Sequence, residues 1–193
     1  ALCFLIFILG IIADVKKNFS IHIRFFLQAL ILIIFIFSFD LKIPTLGNKF
    51  LDIILINKYI NYIFIFFCLI TLLNGFNFID GVNGLTSGYF LLISLFIYFL
   101  NLNILHENIF IKDLNFLLLK LYFIFFILNI LGKCFFGDNG IYVSLICISF
   151  ILINIFKENF DIISPYLIAS LLWYPAFENL FSILRRMRSN KKI

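Results

Sequence analysis

Long apolar runs broken by short polar clusters repeat along the chain, as in "IHIRFFLQALILIIFIFSF" at 21–39. The runs predict seven helical segments, roughly 1–12 (cut short), 21–39, 59–76, 85–100, 114–131, 140–156 and 163–183. Polar and apolar residues do not alternate inside them, as they would in a membrane barrel, and backbone in contact with lipid must satisfy its own hydrogen bonds. The expected fold is therefore all-α, a polytopic transmembrane helical bundle. It forms a single domain over 1–193, read as incomplete at both ends. Residues 1–12 are too short to span a bilayer, which takes about 20 helical residues, and they lack the basic start and small-residue cleavage site of a signal peptide.

Composition agrees with the pattern. Hydrophobic residues make up 64% of the chain and charged ones 13%, and the mean hydropathy of +1.14 marks an integral membrane protein whose main partner is the lipid bilayer. The net charge of +5 does not point to nucleic acid. The basic cluster "RRMRSNKK" at 185–192 directly follows an apolar run, where it reads as a juxtamembrane anchor. Cys3, Cys68, Cys134 and Cys147 are scattered without metal-ligand spacing, so neither a disulfide nor a zinc site is read.

Lys16, Lys17, Arg24, Lys133, Arg185, Arg186, Arg188, Lys191 and Lys192 gather on one side of this topology. Lys42, Lys49, Lys58, Lys112 and Lys157 gather on the other. The positive-inside rule places the first side in the cytoplasm. On that side emerge "ADVKKNFS" at 13–20, "NGFNFIDGVNG" at 74–84 and "GKCFFGDNG" at 132–140, each two crossings from the next. Asp14, Asp80 and Asp138 can therefore converge whichever way the bundle is oriented.

A carboxylate at membrane depth needs a cation or hydrogen-bond donors nearby. Asn74, Asn77, Asp80 and Asn83 recur every three residues, and Gly81 and Gly84 allow a helix break that turns backbone amides toward an anion. "GDNG" at 137–140 reads as a turn opening the next helix, with Asp138 near its cap. Carboxylates, amides, helix N-termini and Lys133 on one face suit Mg²⁺ together with phosphates, with Mn²⁺ as the alternative ion. The chemistry this implies is phosphoryl transfer at the membrane surface. Taken singly, each loop also has a plainer reading: a capped helix break, a common turn, a charged interfacial loop.

"NGFNFIDGVNGL" at 74–85 resembles the signature of the polyprenyl-phosphate N-acetylhexosamine-1-phosphate transferases. "LGIIADVKKNFSIHIRFFLQ" at 9–28 is similar to that family's paired-aspartate motif, and "GKCFFGDNGIYVSL" at 132–145 to its later Lys- and Asp-containing segment. "SPYLIASLLWYPAFENLFSILRR" at 164–186 resembles a late helix of the polysaccharide-priming branch. The resemblance implies a Mg²⁺-dependent membrane enzyme that moves a sugar 1-phosphate from a UDP-sugar to polyprenyl (undecaprenyl) phosphate. It would act at the cytoplasmic face of a bacterial inner membrane, at the start of cell-wall or surface polysaccharide synthesis, with a homodimer among its possible assemblies. By the same resemblance Asp138 and Asp80 are metal-binding, Asp14 and Asp80 catalytic, and Asn74, Asn77, Asn83 and Lys133 substrate-binding.

Three departures stand beside it. Ala13 occupies the first position of the aspartate pair, Asn83 the place of a second loop aspartate, and the family's His-containing loop would fall beyond Ile193. Two other readings stay open: a transporter or flippase built around a helix broken at 74–84, and a non-catalytic paralogue.

Overall fold

The computed structural model describes residues 21–103 and 108–188, and all regular structure there is helical. In chain order the helices are α1 (Ile21–Ser38), α2 (Lys49–Leu55), α3 (Lys58–Ile79), α4 (Leu85–Asn103), α5 (Ile109–Ile130), α6 (Gly137–Glu158) and α7 (Pro165–Arg188). The predicted segment 1–12 lies outside the described residues. Four helices, α3, α5, α6 and α7, are long and apolar enough to cross a membrane, and α1 and α4 are shorter apolar helices. The protein is a multi-pass helical membrane bundle.

Helix starts follow the asparagines. The side chains of Asn48, Asn57 and Asn108 accept from the first free amides of α2, α3 and α5, as an N-cap does. α5 ends in a Schellman turn, with Lys133 N–H on the Leu128 carbonyl at 2.9 Å and Gly132 N–H on that of Asn129 at 3.0 Å. Gly132 takes the required positive φ of 67°.

The boundaries depart from the sequence reading in several places: α5 starts at Ile109 instead of 114, α6 at Gly137 instead of 140, and α7 runs to Arg188 instead of 183. The short α2 was not expected. It is capped by Asn48 and tied down by Asp52, which accepts from Thr45 Oγ1 at 2.8 Å and Leu46 N–H at 2.6 Å. α3, expected to end at 76, continues to Ile79, so Asn77 joins Asn74 and Gly75 within the helix. Asn74 Nδ2 bonds back to the Ile70 carbonyl at 2.8 Å, and Gly75 is the point where α3 meets α7. A Cβ there would stand 2.0 Å from the Pro175 carbonyl oxygen. Between apolar helices in lipid, such close backbone approach replaces the hydrophobic drive available in water.

α3 and α6 form the centre, burying Ile65, Leu69, Leu73 and Phe76 against Ile141, Leu145, Ile148 and Leu152. Phe76, Phe90 and Tyr122 stack in succession, joining α3, α4 and α5. α5 and α7 turn Leu117, Leu121, Phe177 and Phe181 outward, toward lipid. The chain direction brings the start of α1, the α3–α4 loop, the α5–α6 loop and the end of α7 to one end of the bundle.

Candidate active site

Three helices each bring two polar side chains about one turn apart to that end: Arg24 and Gln28 from α1, Asn77 and Asp80 from the end of α3, and Asp138 and Tyr142 from the start of α6. In the outer layer Arg24 Nη1 donates to Asp138 Oδ2 at 2.7 Å, and Gly137 N–H donates to Asp80 Oδ2 at 3.1 Å. One turn deeper Gln28 Nε2 donates to the Tyr142 hydroxyl. Asn77 stands beside the same hydroxyl, with neither atom of its buried amide in a hydrogen bond of good geometry.

The Asp80–Gly137 bond settles how α6 begins. Phe136 occupies its N-cap and offers no capping side chain, so the first amide is satisfied across the bundle by the aspartate that ends α3. A carboxylate at a helix N-terminus also meets the positive end of the helix dipole. Asp138 is in the first turn, as expected, but its carboxylate faces Arg24 instead of capping its own helix. Burial pushes the Asp80 carboxyl above the usual carboxylate range. The Gly137 amide and the nearby Thr86 hydroxyl pull it back, and the Asp138 charge pushes it up again.

Asn129 holds the two loops together. Its Oδ1 accepts from Gly84 N–H at 2.6 Å and Ser87 Oγ at 2.9 Å, and its Nδ2 donates to the Cys134 carbonyl at 2.7 Å. Gly84, at φ 82°, can turn its amide inward because it carries no Cβ.

Of the residues expected from sequence, Asp80, Asp138 and Asn77 come together. Asn74 is one turn deeper and satisfied within α3. Asn83 is exposed beside Gly132, and Lys133 is exposed and paired with neither carboxylate. Asp14 and Ala13 lie outside the described residues. Sequence reasoning missed Arg24, Gln28, Tyr142 and Asn129 as parts of the site. The four-residue spacing of Arg24 with Gln28 and of Asp138 with Tyr142 was the available signal.

Among the described residues no three His, Cys, Asp or Glu side chains converge to hold a metal ion by themselves. Mg²⁺, however, is commonly bound through one or two carboxylates plus substrate phosphates. Asp80, Asp138 and the unpartnered Asn77 amide oxygen are hard-oxygen donors of that kind, so the residues present fit such an ion. Arg24 and the amides opening α6 are the complementary groups for phosphate oxygens.

The family model of glycosyl transferase family 4 matches residues 1–173. No curated protein and no solved structure matches the chain.

Proposed function

The chain belongs to glycosyl transferase family 4, membrane enzymes that transfer a sugar phosphate to polyprenyl phosphate, and from that premise we propose its particular reaction. The donor is a UDP-N-acetylhexosamine, the acceptor undecaprenyl phosphate, and the site faces the cytoplasm at a bacterial inner membrane. An oxygen of the lipid phosphate attacks the sugar-proximal phosphorus, the bond from that phosphorus to the oxygen of the uridine phosphate breaks, and UMP leaves. The product is a polyprenyl diphospho-sugar of the polysaccharide-priming kind.

Asp138, Asp80 and the Asn77 amide oxygen would hold Mg²⁺, which supplies charge neutralisation at the diphosphate. Arg24 and the α6 N-terminus bind and orient phosphate oxygens. Asp80 joins the two halves of the site by fixing where α6 starts. The nucleophile is a phosphate that can attack in its ionised form, so Asp14, or that ionisation alone, serves where Ala13 offers no carboxylate.

The observation that carries this reading is the convergence of Asp80, Asp138, Asn77 and Arg24 at one end of the bundle. A carrier built around a break inside α3 is less well supported, because that helix runs unbroken to Ile79. The test is Mg²⁺-dependent UMP release with undecaprenyl phosphate and a panel of UDP-N-acetylhexosamines. Release that requires the lipid phosphate is expected, with Asp138→Asn abolishing turnover in a folded protein. Full activity of Asp138→Asn would remove that residue from the metal site, and no release by the parent with any donor would favour a non-catalytic role.

A further inference from the structure

The end of the bundle opposite Asp80 and Asp138 carries a second charged cluster that the transferase chemistry does not use. α1 closes there in a Schellman-type turn, with Leu41 N–H on the Ile36 carbonyl at 3.2 Å. Asp40, at φ 45°, fills the position usually given to glycine. Aspartate tolerates this left-handed region better than most side chains, and its carboxylate is what the turn presents. Lys42 Nζ reaches Oδ2 at 2.8 Å and Lys58 Nζ reaches Oδ1 at 3.0 Å, while the Tyr62 hydroxyl donates to Oδ1. Together they hold the Asp40 carboxyl well below the usual carboxylate range, Lys42 contributing most, then Tyr62, then Lys58.

Two ammonium groups against one carboxylate leave this cluster positive. The lysine side chains are 37% and 52% exposed; of the three donors on each ammonium, Lys42 directs one at Asp40, and Lys58, which also meets the Tyr62 hydroxyl, still keeps one over. An apolar groove of about 310 Å³ runs between α1 and α3, lined by Ile33, Ile36, Phe37, Tyr59, Tyr62 and Ile63 among others. Tyr62 belongs to both features, so the groove starts at the charged cluster. Phe37, Tyr59 and Ile63 are exposed, so it opens sideways, away from the bundle.

We propose that this is a binding site for an anionic phospholipid, its phosphodiester on Lys42 and Lys58 and an acyl chain in the α1–α3 groove. Charge complementarity selects the occupant. A zwitterionic lipid would bring its own ammonium to a cluster already positive, and a second copy of the chain meeting the same patch would set like charges against each other.

Native mass spectrometry of the full chain in detergent, with phosphatidylglycerol and phosphatidylethanolamine of identical acyl chains, tests the assignment. Preferential retention of phosphatidylglycerol is expected, falling about fivefold for each of Lys42→Gln and Lys58→Gln, the attraction of an anionic lipid to one basic side chain. Asp40→Asn should raise retention by about the same factor. Asparagine keeps the turn, because it too adopts the left-handed conformation, yet it removes the competing anion. If the lysines only braced the turn through Asp40, all three variants would act in the same direction. Ile63→Trp, which fills the groove without altering charge, should lower retention. Equal retention of the two lipids by the parent, a loss of retention in Asp40→Asn, or an unchanged Ile63→Trp overturns the proposal.

Discussion

Pro175 interrupts α7 without leaving a carbonyl stranded, and the compensation can be measured. Proline has no amide hydrogen, so the Leu171 carbonyl one turn earlier loses its usual donor within α7. The Tyr89 hydroxyl donates to it from α4 at 2.7 Å, and the Tyr89 ring is held by Phe76 at 5.7 Å and Tyr174 at 6.1 Å between centroids. Tyr89→Phe keeps the ring and removes one bond. Helix-to-helix hydrogen bonds in membranes average about 0.6 kcal/mol, whereas a buried carbonyl left unpaired costs about 1–3 kcal/mol. With the usual intrahelical donor to Leu171 missing, the expected loss is about 1–2 kcal/mol, read from unfolding titrations in mixed micelles. Pro175→Ala supplies an amide that can reach the Leu171 carbonyl. In that background Tyr89→Phe should cost less than about 0.5 kcal/mol, a coupling of about 1 kcal/mol between residues on different helices. Equal costs in the two backgrounds would refute the account.

Gly75→Ala places a Cβ 2.0 Å from the Pro175 carbonyl oxygen and must push α3 from α7, at about 1–3 kcal/mol. An unchanged unfolding midpoint would mean that the two backbones do not meet there. Asn129→Ala strips two bonds from the site loops and one from Ser87 of α4 and should cost about 2–3 kcal/mol, with faster amide exchange at Gly84. Protection at Gly84 equal to the parent's would show that Asn129 does not pin the loop. Asp80→Asn separates stability from function. The folded protein holds the Asp80 proton more tightly than the unfolded chain does, so parental stability declines as pH rises from the ordinary carboxyl value through the raised folded one. The variant lacks that slope and should gain relative to the parent over the window while losing turnover; parallel stability curves would contradict the burial of the carboxyl.

The helical layout was legible because apolar runs of spanning length admit few alternatives in a bilayer and because asparagines mark several starts. Its errors have physical causes. Asn77 belongs to a polar stretch that looks like a loop from composition, yet α3 runs on through it; within that helix Asn74 bonds back one turn and Gly75 admits the neighbouring backbone, a use of glycine that is visible only when α7 is in place. α2, seven residues long, is too short for a search tuned to spanning runs. Asp80 and Asp138 stood out because a carboxylate among phenylalanines and isoleucines needs a reason. Arg24 did not, because a basic residue near a membrane surface already has one as an anchor.

That omission matters for the proposed chemistry, because the carboxylates come with matched partners. Asp138 is offset by Arg24, and Asp80 by the α6 amide, which pulls back part of the rise in pKa that burial causes. In the proposed reaction Asp80 and Asp138 would hold the divalent cation, which would supply charge neutralisation, and the Arg24 guanidinium and the α6 amides would turn from the carboxylates to phosphate oxygens. Such an exchange would leave neither carboxylate unmatched beside the bilayer, where an isolated charge costs about 2.5–3.5 kcal/mol at a helix centre and less toward the interface. A cation alone would displace Arg24 without giving it a new anion, whereas a phosphate alone would meet two carboxylates. Within the proposed reaction, metal and nucleotide should therefore bind cooperatively, each strengthening the other's affinity by the same factor, and Arg24→Met should weaken that coupling more than it weakens the binding of Mg²⁺ alone. Isothermal titration of Mg²⁺ with and without UDP-sugar, in parent and variant, measures both quantities; equal coupling in the two proteins would mean that Arg24 only braces Asp138.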